Sequence, residues 1–143
     1  MQGIRLVGVD SIADLVKRLN PQTRYFTLLL AWDAPDIPQD KLIDMMRPLV
    51  ERGLVYICAW GGRCEQVHDA VDDADLERIN ITGSDEYVIM TTWHSQETLS
   101  EACWFFKELA FPSEEPYISN LERFAVAVGN DNWLEEMRMR FEV

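Results

Sequence analysis

The chain has 143 residues, 48% of them hydrophobic, with only seven glycines and six prolines, a globular composition near the commonest single-domain size. Its 25 acidic against 13 basic side chains leave a formal net charge of −12, which argues against nucleic acid as a partner because phosphate binding needs a basic stripe. The apolar stretch Phe26 to Trp32 is, like every other in the sequence, far shorter than the ~20 residues of a membrane span, and MQGIRLVGVD lacks a basic region followed by an apolar stretch, so neither a span nor a signal peptide is expected.

In chain order, Ser11 introduces a short amphipathic helix with Ile12, Leu15, Val16 and Leu19 on one stripe, ended by Asn20-Pro21. Tyr25 to Trp32 (YFTLLLAW) is continuously apolar and reads as a buried parallel strand, centred on Phe26 to Trp32. Gln39 to Arg52 follows as a helix with Leu42, Met45, Met46, Leu49 and Val50 inward; Pro48 should kink it and Gly53 end it. Leu54 to Trp60 is the second strand, with Val55 to Trp60 its core. Gly61-Gly62 is a turn, and Arg63 to about Ile79 a helix with Val67, Ala70 and Val71 inward. The third strand lies within Tyr87 to Trp93, chiefly Val88 to Trp93, and Thr98 to Ala110 is a helix burying Leu99, Ala102, Cys103, Phe106 and Leu109. A loop from Phe111 to Asn120, a fourth strand Phe124 to Val128, Gly129 and a helix from about Asn132 to Phe141 complete the chain. Strands alternating with helices predict a single α/β domain over residues 1–143: three layers, α/β/α, around a four-stranded, mainly parallel sheet of Rossmann-like or flavodoxin-like type.

Three strands close on a tryptophan, at positions 32, 60 and 93, one βα unit apart. In a parallel sheet these lie at the carboxyl edge, where open α/β folds bind ligands; the rings suit a stacking floor for a flat ligand, or plugs that seal the sheet. Trp60-Gly61-Gly62-Arg63-Cys64 runs from strand through glycine turn to helix start, so backbone N–H groups, the helix dipole and Arg63 could face an anion. It has neither the GxGxxG spacing nor the lysine-serine pair of a phosphate loop, and a plain tight turn explains the same residues. Cys64, His68 and Asp72 share a helix face, with His94 and Asp33 after neighbouring strands. Cys64, His68 and His94 are the catalytic candidates, Cys64 as a thiolate at a helix start with His68 as base. The same three suit zinc, although no CxxC or HExxH accompanies them; hydrogen bonding alone is the simplest account, and no metal or other cofactor is assigned. Asp33, Trp60, Arg63, Trp93 and Glu97 complete the expected ligand-binding set, while Ser95 or Thr98 reads as a helix cap.

Cys64 to Glu86 carries eight acids opposed only by Arg78. Solvation explains such a run; a docking face for a basic partner, built on Asp72, Asp73, Asp75 and Glu77, is the functional reading. Three cysteines, two of them in apolar contexts (VYICAW, EACWFF), suit buried reduced thiols and a cytoplasmic setting. Two function classes follow. One is an acidic immunity- or inhibitor-type protein that engages a basic protein partner. The other is a small-molecule or nucleotide-binding domain, a hydrolase or transferase if an enzyme, with its site at the carboxyl edge.

AW at 31–32, CAWGGRCEQVHD at 58–69, MTTWH at 90–94 with Glu97, and VGN at 128–130 with Trp133 together resemble an uncharacterised bacterial domain family of unknown function. The resemblance spans roughly residues 25–135 and implies that Trp60, Cys64, Glu65, His68, Asp69, Trp93, His94 and Glu97 belong to the family pattern. The chain departs from it at Ser95-Gln96, where acids commonly follow the histidine. No activity comes with the resemblance.

Overall fold

Among the described residues of the computed structural model, which are 3–83, 87–113 and 121–142, strands and helices alternate throughout. They are β1 (Ile4–Val9), α1 (Ile12–Arg18), β2 (Tyr25–Ala31), α2 (Gln39–Arg52), β3 (Leu54–Trp60), α3 (Cys64–Thr82), β4 (Met90–Trp93), α4 (Leu99–Leu109), β5 (Leu121–Val128) and α5 (Asp131–Phe141). Every strand pairing is parallel, in the order β1-β5-β2-β3-β4. The class is α/β as expected, but the sheet has five strands, not four, and its order is neither of the two common doubly wound ones. Among the described residues no helix is long and apolar enough to cross a membrane.

The extra strand is β1, whose IRLVGV is interrupted by Arg5 and by Gly8, residues more usual on an edge strand than in a central one. β5 also begins earlier than its apolar run, at Leu121, because Glu122 and Arg123 are buried within it. Their charges are matched by backbone. Glu122 Oε1 accepts from the N–H groups of Gln22 and Thr23, and Oε2 lies 3.0 Å from Arg5 Nη1. Arg123 donates to the carbonyls of Phe106 and Lys107 and lies over the Phe106 and Phe111 rings, so it closes the C-terminal turn of α4. Residues 114–120 of the expected loop lie outside the described residues.

α1, α2 and α3 cover one face of the sheet and α4 and α5 the other. α2 runs through the exposed Pro48 and ends at Gly53, where φ is 124° and a Cβ would meet the Arg24 carbonyl oxygen at 2.0 Å. α4 starts on a capping box: the Thr98 hydroxyl accepts from Glu101 N while the Glu101 carboxylate accepts from Thr98 N. Because α3 leaves β3 on one face and α4 leaves β4 on the other, the chain parts at the carboxyl ends of β3 and β4, where most candidate residues gather.

Candidate functional site

β4 is the edge strand opposite β1, and α3 holds it by polar side chains at regular steps. Running back along α3, Arg78 Nη2 donates to Tyr87 O at 2.9 Å, Asp75 Oδ2 accepts from Ile89 N at 2.9 Å, Asp72 Oδ1 accepts from Thr91 Oγ1 at 2.8 Å, and the His68 ring packs 4.5 Å from that of Trp93. Helical steps of three or four residues thus match strand steps of two, as an antiparallel helix laid on a strand requires. Asp75 is only 3% exposed and also receives Arg78 Nε and Nη2 at 2.9 and 2.6 Å.

The other face of β4 carries a second polar chain. His94, 3% exposed, has Nε2 at 2.9 Å from Thr92 Oγ1 and Nδ1 at 3.0 Å from Glu97 Oε1, with its ring 4.8 Å from that of Phe105. Since Glu97 only accepts, it selects the Nδ1–H tautomer of the neutral ring and leaves Nε2 to accept from Thr92. Trp60 Nε1 donates to the Glu97 carbonyl at 2.9 Å, which fixes the loop that carries the carboxylate. Thr91, Thr92, Trp93, His94, Glu97 and Phe105 line a shallow, open concavity of about 280 Å³ that wraps the sheet edge.

The glycine turn is occupied by acids of the chain itself. Asp33 Oδ1 accepts from Gly62 N at 2.7 Å and Arg63 Nη2 pairs with Asp36 Oδ2 at 3.1 Å, so the donors read as an anion cradle already face carboxylates. Gly61 is required here: at φ 117° a Cβ would lie 2.3 Å from the Trp32 carbonyl oxygen. Arg63, at φ 60°, is the one non-glycine residue in the left-handed region among those described and sits at the N-cap of α3 without a capping side chain.

The expected constellation divides across the sheet. Cys64 is buried under the α1–α3 face, His68 lies on that same face over Trp93, and His94 lies on the α4 face. Among the described residues no group of three or more His, Cys, Asp or Glu side chains could hold a metal ion, so the Cys64, His68 and His94 zinc arrangement does not form. The tryptophans separate for a reason of register. Trp60 pairs with Ala31 and Trp93 with Ala59, so Trp32, Trp60 and Trp93 are each displaced by one residue and point to alternate faces. Trp32 is buried, Trp60 meets Trp133 edge-on at 5.1 Å, and only Trp93 is exposed. The docking acids also divide: Asp75 is buried, Asp72 bonds Thr91, Glu77 pairs with Arg47 at 2.8 Å, and Asp73 faces solvent.

Val88 and Met90, 62% and 51% exposed, and Phe105 in the concavity went unnoticed in the sequence. The signal that could have found them is the weak apolarity of MTTW beside LLLAW and YICAW, which marks β4 as an edge rather than a central strand.

Burial holds the other reactive groups silent: it pushes the Cys58 and Cys103 thiols up to about 12. No curated protein and no solved structure matches the chain. The sequence pattern of the family described as a domain of unknown function (DUF7684) matches residues 5–142, and the chain belongs to that family.

Proposed function

We propose that this domain binds a basic protein partner, in the manner of small acidic immunity or inhibitor proteins, through the region of α3 and β4. The observation that carries the reading is the exposure of Val88, Met90 and Trp93, the last 43% exposed, in and just before β4, whose outer edge no other described strand pairs, in a part of the chain devoid of free cations. Between residues 64 and 106 Arg78 is the only basic residue against ten acids, and it is committed to Asp75. Exposed aromatic and apolar side chains supply affinity at such a surface, and the surrounding carboxylates steer a basic partner to it. The three free, buried cysteines are in keeping with a reducing, cytoplasmic setting.

The test is affinity capture with the immobilised domain at low and high salt. Trp93→Ala should lower retention of the captured basic protein about tenfold or more, and Asp73→Asn should slow association at low salt. Retention of no basic protein at low salt, or indifference to both substitutions, would end the reading.

A second reading is favoured by the Thr92–His94–Glu97 chain beside the concavity: a small-molecule site supporting hydrolysis or group transfer, with His94 as base for the Thr92 hydroxyl and Glu97 orienting the ring. A thermal-shift screen of nucleotides, metabolites and divalent metals tests it. A ligand at 100 times its dissociation constant stabilises the fold by about 2.7 kcal/mol, and that gain should vanish in His94→Gln.

A further inference from the structure

The two edges of the sheet are protected unequally. In a parallel ladder the N–H and C=O of one residue point to the same side and successive residues alternate, so every second residue of an edge strand presents both groups outward. On β1, Gly129 N donates to Val9 O, which turns Val9 inward and Gly8 outward, and the outward Gly8 carbonyl is taken by Arg18 Nη1. Arg5 adds an exposed charge on the same strand. This edge is guarded by cations, a common device against strand pairing.

β4 has no such guard. His94 N donates to Ala59 O at 2.9 Å, so Thr92 and Met90 turn inward with it, while Thr91 and Trp93 direct their N–H and C=O groups away from β3. No other strand pairs with β4 among the described residues. From residue 79 to 106 the sequence contains no lysine, arginine or proline, so neither a cation nor a proline of this segment guards the strand, and shortness is the device it shows among the described residues. The concavity lined by Thr92, Trp93 and Phe105 runs along this same edge, which gives an added strand somewhere to place its side chains.

We propose that the β4 edge is a strand-addition site for an extended segment of the basic partner, an inference that rests on the protein-binding reading above. An added strand bonds its backbone to Thr91 and Trp93 and alternates its side chains between the two faces. Those on the α3 side meet Asp72 and the Trp93 ring, chemistry that selects lysine or arginine. Those on the α4 side meet Met90 and Phe105, which select apolar residues. The segment that fits therefore alternates basic and apolar residues. A second copy of this chain fits less well: each copy carries −12, and Arg18 already covers the β1 edge that would have to pair.

The experiment uses a synthetic decapeptide of alternating lysine and valine, a proline-interrupted peptide of the same charge, and wild-type, Thr91→Pro and Thr91→Val domains. The expected result is saturable binding of the alternating peptide, slowed amide exchange at Thr91 and Trp93, at least tenfold weaker binding to Thr91→Pro, and binding to Thr91→Val within about twofold of wild type. Exchange is read on the wild-type protein, so an unstable proline variant leaves the proposal testable. Equal binding of both peptides without protection at Thr91 and Trp93 would overturn strand addition while leaving a basic-partner surface standing. If neither peptide binds at low salt, strand addition falls, and the protein-binding reading is then decided separately by the affinity capture. Association of the domain with itself through this edge would overturn the assignment of a basic occupant.

Discussion

Asp75→Ala tests whether the acid-rich face of α3 is a surface or a set of struts. The Asp75 carboxylate accepts from Arg78 Nε and Nη2 and from Ile89 N, and removing it strands a guanidinium that is itself largely buried, together with a buried backbone N–H. Deleting one partner of a buried, hydrogen-bonded ion pair costs about 3–5 kcal/mol. Arg78 keeps the Tyr87 carbonyl and a place over the Tyr87 ring at 4.3 Å, which sets the expectation at the lower end, about 3 kcal/mol. That is a large share of the ~5–15 kcal/mol that a domain of this size holds. Urea unfolding at neutral pH measures it, with the m-value unchanged if the effect is one of stability alone. Asp75→Asn, which keeps an acceptor for Ile89 N, should lose less, and adding Arg78→Met to Asp75→Ala should recover part of the loss because the orphaned charge goes too. Asp73→Asn serves as the solvent-facing comparison, within about 0.5 kcal/mol of wild type. An Asp75→Ala loss below about 1 kcal/mol would refute the strut and return Asp75 to the surface acids.

Gly61→Ala should cost at least ~2 kcal/mol and lower the melting temperature by roughly 8 °C, since its Cβ would overlap the Trp32 carbonyl; calorimetry reads the shift, and an unchanged melting temperature would contradict the turn. Burial acts to raise the Glu122 pKa, but the Thr23 and Gln22 N–H groups, the Thr23 hydroxyl and Arg5 outweigh it and hold the carboxyl below its ordinary 4.5. A folded-state value below the unfolded one stabilises fully above about 4.5, and that contribution is lost as pH falls toward the folded value; Glu122→Gln should therefore flatten the acid side of the stability profile, and an unaltered slope would remove Glu122 from the account. With Cys58 and Cys103 held near 12 and all three thiols buried, a disulfide reagent at pH 8 should label none of them until denaturant is added. Rapid labelling of the native protein would show that one of them is accessible.

Central strands were easy to read from the sequence because burial on both faces makes them continuously apolar, as in YFTLLLAW and LVYICAW. The same rule hid β1 and the start of β5. Arg5 belongs to an edge, and Glu122 and Arg123 are tolerated inside because backbone groups and aromatic rings from segments distant in sequence receive them. The capping box at Thr98 and Glu101 is local chemistry and was half legible: Thr98 was expected as one of two caps. Convergence was not legible, because it depends on register: a displacement of one residue between neighbouring strands sends Trp60 and Trp93 to opposite faces, and His94 away from His68 with them. Periodicity likewise cannot tell Asp75 from Asp73. Only the path of the chain into β4 decides which carboxylate becomes a buried acceptor.

The position of β5 has a consequence for how this molecule is made. It lies between β1 and β2, yet it follows both of them, and β3 and β4 as well, in the chain. During synthesis β2, β3 and β4 can assemble with α2, α3 and α4, whereas β1 has no neighbour to pair with, and the part of the second sheet face that α5 covers stays bare. The partial sheet would expose the β2 side that later receives β5, a largely apolar run that is buried throughout in the finished fold, until a contact spanning about a hundred residues is closed. Folding should thus be gated by release of the C-terminal third of the chain. The aggregation hazard of the nascent protein then lies at β2, which no surface of the finished molecule would reveal.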